Sequence, residues 1–180
     1  MQQLLCFAGL PGVGKSTLSH AVSNTTGATI VDIDDFKKTH VDPTLVTTQI
    51  DPPEQRWAYY RDSIEHAFTL FEDGVGIAIL DEVFHLHELR SRVEELCRAR
   101  GVQVIWVEIH CAHDIIAERL ASKGREGHIL STEEALRMNL LFKDIFEPFP
   151  TSTQNHVLIR NDGMCDVPSM TNEILRKMEN

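Results

Sequence analysis

Gly9-Leu10-Pro11-Gly12-Val13-Gly14-Lys15-Ser16-Thr17 stands directly after the apolar run Leu4-Leu5-Cys6-Phe7-Ala8. Glycines at 9, 12 and 14 let the backbone turn where a side chain would clash. The apolar residues read as a short buried strand, and Lys15 to Asn24 as a helix with Leu18, Ala21 and Val22 on one face. Strand, glycine loop and helix in that order, with the full G-x-x-x-x-G-K-S spacing, is the context of a phosphate-binding loop. The amides of such a loop wrap a polyphosphate, and the helix N-terminus adds its partial positive charge. Lys15 is placed to reach the β- and γ-phosphates and Ser16 to offer a hydroxyl to Mg²⁺. A nucleoside triphosphate is the expected ligand.

Outward from the loop, strand and helix signals alternate with no long linker and no repeat. Residues 28–34, ATIVDID, follow Gly27 and read as a second strand. Asp51 reads as the carboxylate cap of a helix whose first turn holds Pro52 and Pro53. Trp57, Tyr60, Ile64, Phe68 and Phe71 then recur at helical spacing as its buried stripe. Residues 74–84 and 102–110 are apolar runs suited to strands buried on both faces, with a helix over 86–100 between them. A helix follows over 113–123, and Ser131 with Glu134 makes a capping box for another that Pro148 ends. A fifth strand is expected over 156–160 and a closing helix over 167–178, with Val167, Met170, Ile174 and Met178 inward. The alternation predicts one α/β domain over residues 1–180: a doubly wound, mostly parallel five-stranded sheet with helices on both faces.

In such sheets ligands sit beyond the carboxyl ends of the strands. The chemistry-bearing residues follow that rule, because Asp34-Asp35 close the second strand and Asp81-Glu82 the third. Asp81 ends the hydrophobic run Ile77-Ala78-Ile79-Leu80 and is the candidate second Mg²⁺ ligand beside Ser16. Asp34 is the candidate base for a phosphoryl-accepting hydroxyl, with Asp35 capping the helix at Phe36. Arg119, Lys123 and Arg125 lie in a glycine-containing stretch, about 119–131, expected to act as a small lid over the triphosphate. His85-x-His87 and His110-x-x-His113 lack the cysteines or the helical H-E-x-x-H pattern of a zinc site.

Composition narrows the partners. A net charge of −10 argues against a general nucleic-acid binder. No apolar run reaches the roughly 20 residues of a membrane span, and MQQLLCFAGLPG lacks the basic region of a secretory leader. Four scattered cysteines without a C-x-x-C pair fit a reducing, cytoplasmic setting.

The segments GLPGVGKST (9–17), DIDDFKK (32–38), AILDEVF (78–84) and ERLASKGRE (118–126) resemble, in order and spacing, the small P-loop kinases grouped with zeta toxins and phage-type polynucleotide kinases. That resemblance covers most of residues 1–160 and implies a P-loop kinase fold with ATP and Mg²⁺ as cofactors. By the same resemblance Asp34 is the general base and Lys37 the acceptor-binding cation, while Arg119 lies near adenine and Arg125 at the transferring phosphate. Residues 38–56, ending in Arg56, match nothing in those families and are where the acceptor is expected to be read.

The leading expectation is an ATP-dependent kinase phosphorylating a hydroxyl of a small molecule. Polynucleotide or tRNA 5′-hydroxyl phosphorylation is the alternative within the same chemistry. A GTP-hydrolysing switch is the alternative from another class, and the chain lacks the N-K-x-D guanine motif that it would want.

Overall fold

The computed structural model describes residues 1–41, 50–122, 132–163 and 166–179. Its strands are β1 (Gln3–Ala8), β2 (Thr29–Val31), β3 (Ile77–Asp81), β4 (Gln103–His110) and β5 (His156–Arg160). They form one sheet in the order β2-β3-β1-β4-β5, and every neighbouring pair is parallel. The helices are α1 (Lys15–Thr26), α2 (Ile33–His40), α3 (Pro53–Glu72), α4 (His87–Ala99), α5 (His113–Ser122), α6 (Thr132–Ile145) and α7 (Val167–Met178). Parallel neighbours need crossovers, which these helices supply. The doubly wound α/β fold expected from the alternation is the fold observed.

The two-residue period of a strand divides β1 between two cores. Leu4, Cys6 and Ala8 face α3 and α4, packing with Tyr59, Tyr60, Ile64, Phe68, Phe71, Leu89 and Val93. Leu5 and Phe7 face the opposite side, against Leu18 and Val22 of α1 and Met170 and Ile174 of α7. Both faces are therefore covered, which explains why β1, β3 and β4 read as continuous apolar runs. Among the described residues, no helix is long and apolar enough to cross a membrane.

Two expected caps are corrected. The second strand stops at Val31, and α2 begins at Ile33, so Asp34 and Asp35 occupy a first helical turn and not a strand end. The cause is Asp32, whose side chain accepts from the Asp34 amide at 3.0 Å and acts as the N-cap. Asp35 caps nothing; it is exposed and paired with Lys38 at 2.6 Å. Asp51 likewise does not cap α3, whose N-cap is Pro52 without a side-chain bond. It is buried instead, at 5% exposure, among charged partners. Ser131, Lys123, Arg125 and most of the expected lid lie outside the described residues, as do residues 42–49 of the expected acceptor-reading segment.

Candidate active site

The loop Gly9–Gly14 leaves β1 and delivers α1 with its N-terminus at the carboxyl end of the sheet. Gly14 is the helix N-cap, left-handed at φ 100°, and supplies no side chain to the first-turn amides. Those amides are consequently presented to a ligand and not to a capping carboxylate. Glycine is required at both ends of the loop for space as well. A Cβ at Gly9 (φ 149°) would lie 2.5 Å from the Ile109 carbonyl oxygen, and one at Gly14 would lie 2.4 Å from Asn161 Nδ2. Lys15 arches over the loop, with Nζ donating to the Gly9 and Leu10 carbonyls at 3.0 and 3.2 Å. The same ammonium is 3.8 Å from Asp81.

Pairing of β1 with β3 brings Asp81 beside Phe7, hence next to the loop. Ser16 Oγ donates to Asp81 Oδ2 at 2.7 Å, so the hydroxyl and carboxylate expected to share a cation do meet. Burial pushes the Asp81 carboxyl above its usual range, against the pull of Lys15 and the Ser16 hydrogen bond. Thr17 is exposed beside them.

Asp34 stands in the first turn of α2, within electrostatic reach of Glu82 and Asp81. Burial, reinforced by the charge of Glu82, raises its carboxyl to about 6, and Lys37 opposes the shift. Lys37 is one helical turn from Asp34 and 3.4 Å from Asp51. Asp51 also receives the Tyr59 hydroxyl at 3.0 Å and lies 3.5 Å from Arg56. Arg56, only 1% exposed, donates through Nη1 to Glu82 at 3.2 Å and lies over the Phe142 ring at 5.2 Å. Burial alone would raise Glu82, but Arg56 and Lys37 hold its carboxyl below the usual range. Lys37 and Arg56, both expected to meet the acceptor, are thus each already partnered by a carboxylate. His85, buried at the same place with its ring 4.9 Å from Phe142, is kept neutral near pH 7, its pKa lowered to about 4 by burial and by Arg56.

The turn from β3 to α4 that carries Glu82 and His85 is strained. Phe84 holds a left-handed φ of 48° with its side chain fully buried between Tyr60 and Trp106. Arg90 donates to its carbonyl at 2.9 Å and to those of Glu147 and Pro148 at 2.9 and 3.1 Å, tying this turn to the chain beyond α6.

Several residues of the site carry no signal in a one-dimensional reading. Asn139 of α6 donates to the Pro11 carbonyl at 2.8 Å, and Asn161, just past β5, donates to that of Val13 at 2.8 Å. Asn161 Oδ1 in turn accepts from Arg119 Nη2 at 3.2 Å, which places the expected adenine-side arginine against the loop's back. Tyr59 is a further member found only through contact, and contact also gives Glu82, expected only as an acid at a strand end, and Asp51, expected only as a cap, their partners in the site. The paired histidine motifs do not converge. His110 joins Glu108, and among the described residues no three His, Cys, Asp or Glu side chains form a metal-binding group.

The profile of a protein family described as AAA domain matches residues 4–144, from β1 to α6. The chain belongs to the AAA domain family. The AAA domain match contains the loop, Asp34, Asp81 and Arg119, and stops short of β5, Asn161 and α7. No curated protein sequence matches the chain. Solved structures do match its fold over nearly its whole length. A sugar kinase from Janibacter sp. HTCC2649 is 19% identical, with a TM-score of 0.75 over 99% of this chain and 95% of that one. A gluconokinase from Sinorhizobium meliloti 1021 is 17% identical, with a TM-score of 0.67 over 98% and 91%. The Mycobacterium tuberculosis APS kinase CysC, in complex with AMPPNP and APS, is 18% identical, with a TM-score of 0.65 over 99% and 98%. At these identities the likeness establishes the shared fold.

Proposed function

We propose that this AAA domain is an ATP-dependent phosphotransferase that moves the γ-phosphoryl group to a hydroxyl of a small, uncharged molecule. The observation that carries the reading is Asp34. It stands in the first turn of α2, close enough to Glu82, Lys37 and Asp81 for their charges to act on its carboxyl, which burial raises to about 6, while Asp81 itself meets Lys15 and Ser16 of the phosphate loop. Nucleotide hydrolysis for switching does not call for a base tuned on the acceptor side, whereas an acceptor hydroxyl needs one.

In this reading the loop amides and Lys15 hold the β- and γ-phosphates. Asp34 orients the acceptor O–H and takes its proton as the oxygen forms its bond to the γ-phosphorus. The bond from that phosphorus to the bridging oxygen breaks, leaving ADP. Ser16 and Asp81 fit a hard cation, since a hydroxyl and a partly exposed carboxylate stand 2.7 Å apart there. They would hold Mg²⁺, which when bound neutralises phosphate charge. Arg119, and Arg125 by the resemblance of the lid motif, would balance charge on the nucleotide.

The charges on the acceptor side support an uncharged acceptor. Lys37 and Arg56 are matched by Asp51 and Glu82 within the protein, and Asp34 adds further negative charge. Freeing either cation for an anionic acceptor would break a buried pair, typically at a cost of about 3–5 kcal/mol. The same argument weighs against a polynucleotide 5′-end, despite the motif resemblance. The kinases that share the fold support the reaction class.

The test is ADP release across hydroxyl acceptors offered as matched uncharged and anionic pairs, with ATP and with GTP. Acceptor-dependent ADP release from ATP, greater for the uncharged member, is the expected result. Nucleotide hydrolysis indifferent to every acceptor, with GTP preferred, would replace the kinase by a switch. Preference for DNA or RNA 5′-ends would replace the small acceptor.

A further inference from the structure

Pro11 and Val13 belong to the phosphate loop, and each carbonyl is taken by an asparagine from a distant part of the chain. Asn139 Nδ2 reaches Pro11 O from α6, 128 residues away, at 2.8 Å. Asn161 Nδ2 reaches Val13 O from the end of β5, 148 residues away, at 2.8 Å. Across a trans peptide the C=O and the following N–H point in opposite directions. Holding the Pro11 and Val13 carbonyls toward the two asparagines therefore turns the Gly12 and Gly14 amides away from them.

Both asparagines are built in at a cost to packing. Asn139 is completely buried beside Met138 and Phe142, and its Oδ1 has no partner. An unpaired buried acceptor is unfavourable for folding, so the side chain is poorly explained as a core residue. Asn161 is 9% exposed and anchored by its own amide to the His110 carbonyl at 2.8 Å. Its Nδ2 fills the space a Cβ at Gly14 would need, so loop and asparagine fit only with glycine there. Its Oδ1 is free to accept from Arg119 at 3.2 Å.

We infer that Asn139 and Asn161 are positioning residues that brace the phosphate loop from outside, and that Asn161 couples the loop to Arg119. The inference rests on the nucleotide-binding reading above and adds to it which residues set the loop's anion-binding geometry. Neither residue is asked to touch the nucleotide.

The test uses the full chain, two ligands and four variants: Asn139→Leu, Asn161→Ala, Arg119→Ala and the double variant of the last two. AMPPNP reports the whole nucleotide site, and inorganic tripolyphosphate reports the phosphate loop alone. Asn139→Leu is close in volume, removes the donor and suits the apolar surroundings. Its melting temperature should equal or exceed that of the native chain, while affinity for both ligands falls by about three- to tenfold, the range of one lost hydrogen bond. Asn161→Ala should weaken both ligands similarly. In the double variant with Arg119→Ala, the losses of AMPPNP affinity should be less than additive, since the two residues share one contact.

Unchanged affinity for both ligands in Asn139→Leu and Asn161→Ala, whatever happens to melting, would overturn the bracing role. A loss in Asn161→Ala confined to AMPPNP would reassign Asn161 to the base side, acting through Arg119 alone. If Asn161→Ala does not fold, Asn139→Leu decides the matter by itself. Failure of the native chain to bind either ligand is a different result, and it removes the nucleotide reading itself.

Discussion

Asp34 gains its chemical interest at a cost to folding. Burial and the neighbouring Glu82 raise its carboxyl to about 6, above the ordinary value of 3.8. A carboxyl raised in the folded state loses folding free energy as pH climbs through the interval between those values. Asp34→Asn should therefore raise the melting temperature at neutral pH while lowering acceptor-dependent turnover by about a hundred- to ten-thousand-fold. AMPPNP affinity should stay near native, because Lys15, Ser16 and the loop are untouched. In the native protein kcat/KM should rise with pH to a plateau, half-maximal near 6, since the base works only when deprotonated. A flat profile from pH 5 to 8, or an Asp34→Asn variant that turns over normally, would move the base elsewhere. Loss of nucleotide binding in that variant would assign Asp34 to the cation.

At the scale of elements, α2 is the short helix that carries both Asp34 and Lys37, and its start is decided by Asp32. With the Asp32 carboxylate on the Asp34 amide at 3.0 Å, the base is held by the cap of its own helix. Asp32→Ala should cost roughly 1 kcal/mol of stability, the usual value of an N-cap. Asp35→Ala should stay within about 0.5 kcal/mol, because it removes only an exposed pair with Lys38. Urea denaturation of the two variants checks the order. Asp35 proving the costlier loss would return the cap to the residue that adjacency alone suggests.

At the scale of the whole molecule, the edge of the sheet carries a charged knot remote in sequence from the phosphate loop. Glu108 of β4 is buried, and His110 and His156 meet its two oxygens at 2.7 and 2.8 Å. Burial alone would raise this carboxyl, but the two histidine hydrogen bonds outweigh it and bring the pKa down to about 2. A depressed carboxyl stabilises the fold above its unfolded value, ordinarily 4.5, and that contribution is lost as pH falls toward 2. Acid unfolding of the native chain should steepen within that window. Glu108→Gln should unfold with a shallower dependence on pH there and be less stable near neutrality. Parallel acid curves for the two proteins would mean that the knot contributes nothing to the linkage.

Periodicity and spacing were enough to determine the architecture. Apolar runs punctuated by glycine located the strands, because β1, β3 and β4 are covered on both faces, and β5, with alternating buried and exposed positions, and α7 fall where their patterns put them. The phosphate loop and Asp81 beside it were legible for a related reason: ligands gather at strand ends, and the ends of β1 and β3 show in one dimension, whereas Asp34 lies in the first turn of α2. The caps were not. Asp32, Asp34 and Asp35 offer three carboxylates for one helix start, and only the backbone path past Val31 chose between them. The partners of Arg56 and Lys37 were equally hidden. Glu82 and Asp51 meet them only because α2, the end of β3 and the start of α3 pack together, a contact that no residue type announces. Asn139 and Asn161 went unread because a lone amide has no spacing to betray it. Their roles exist only where α6 and β5 close on the back of the loop, 128 and 148 residues from the carbonyls they hold.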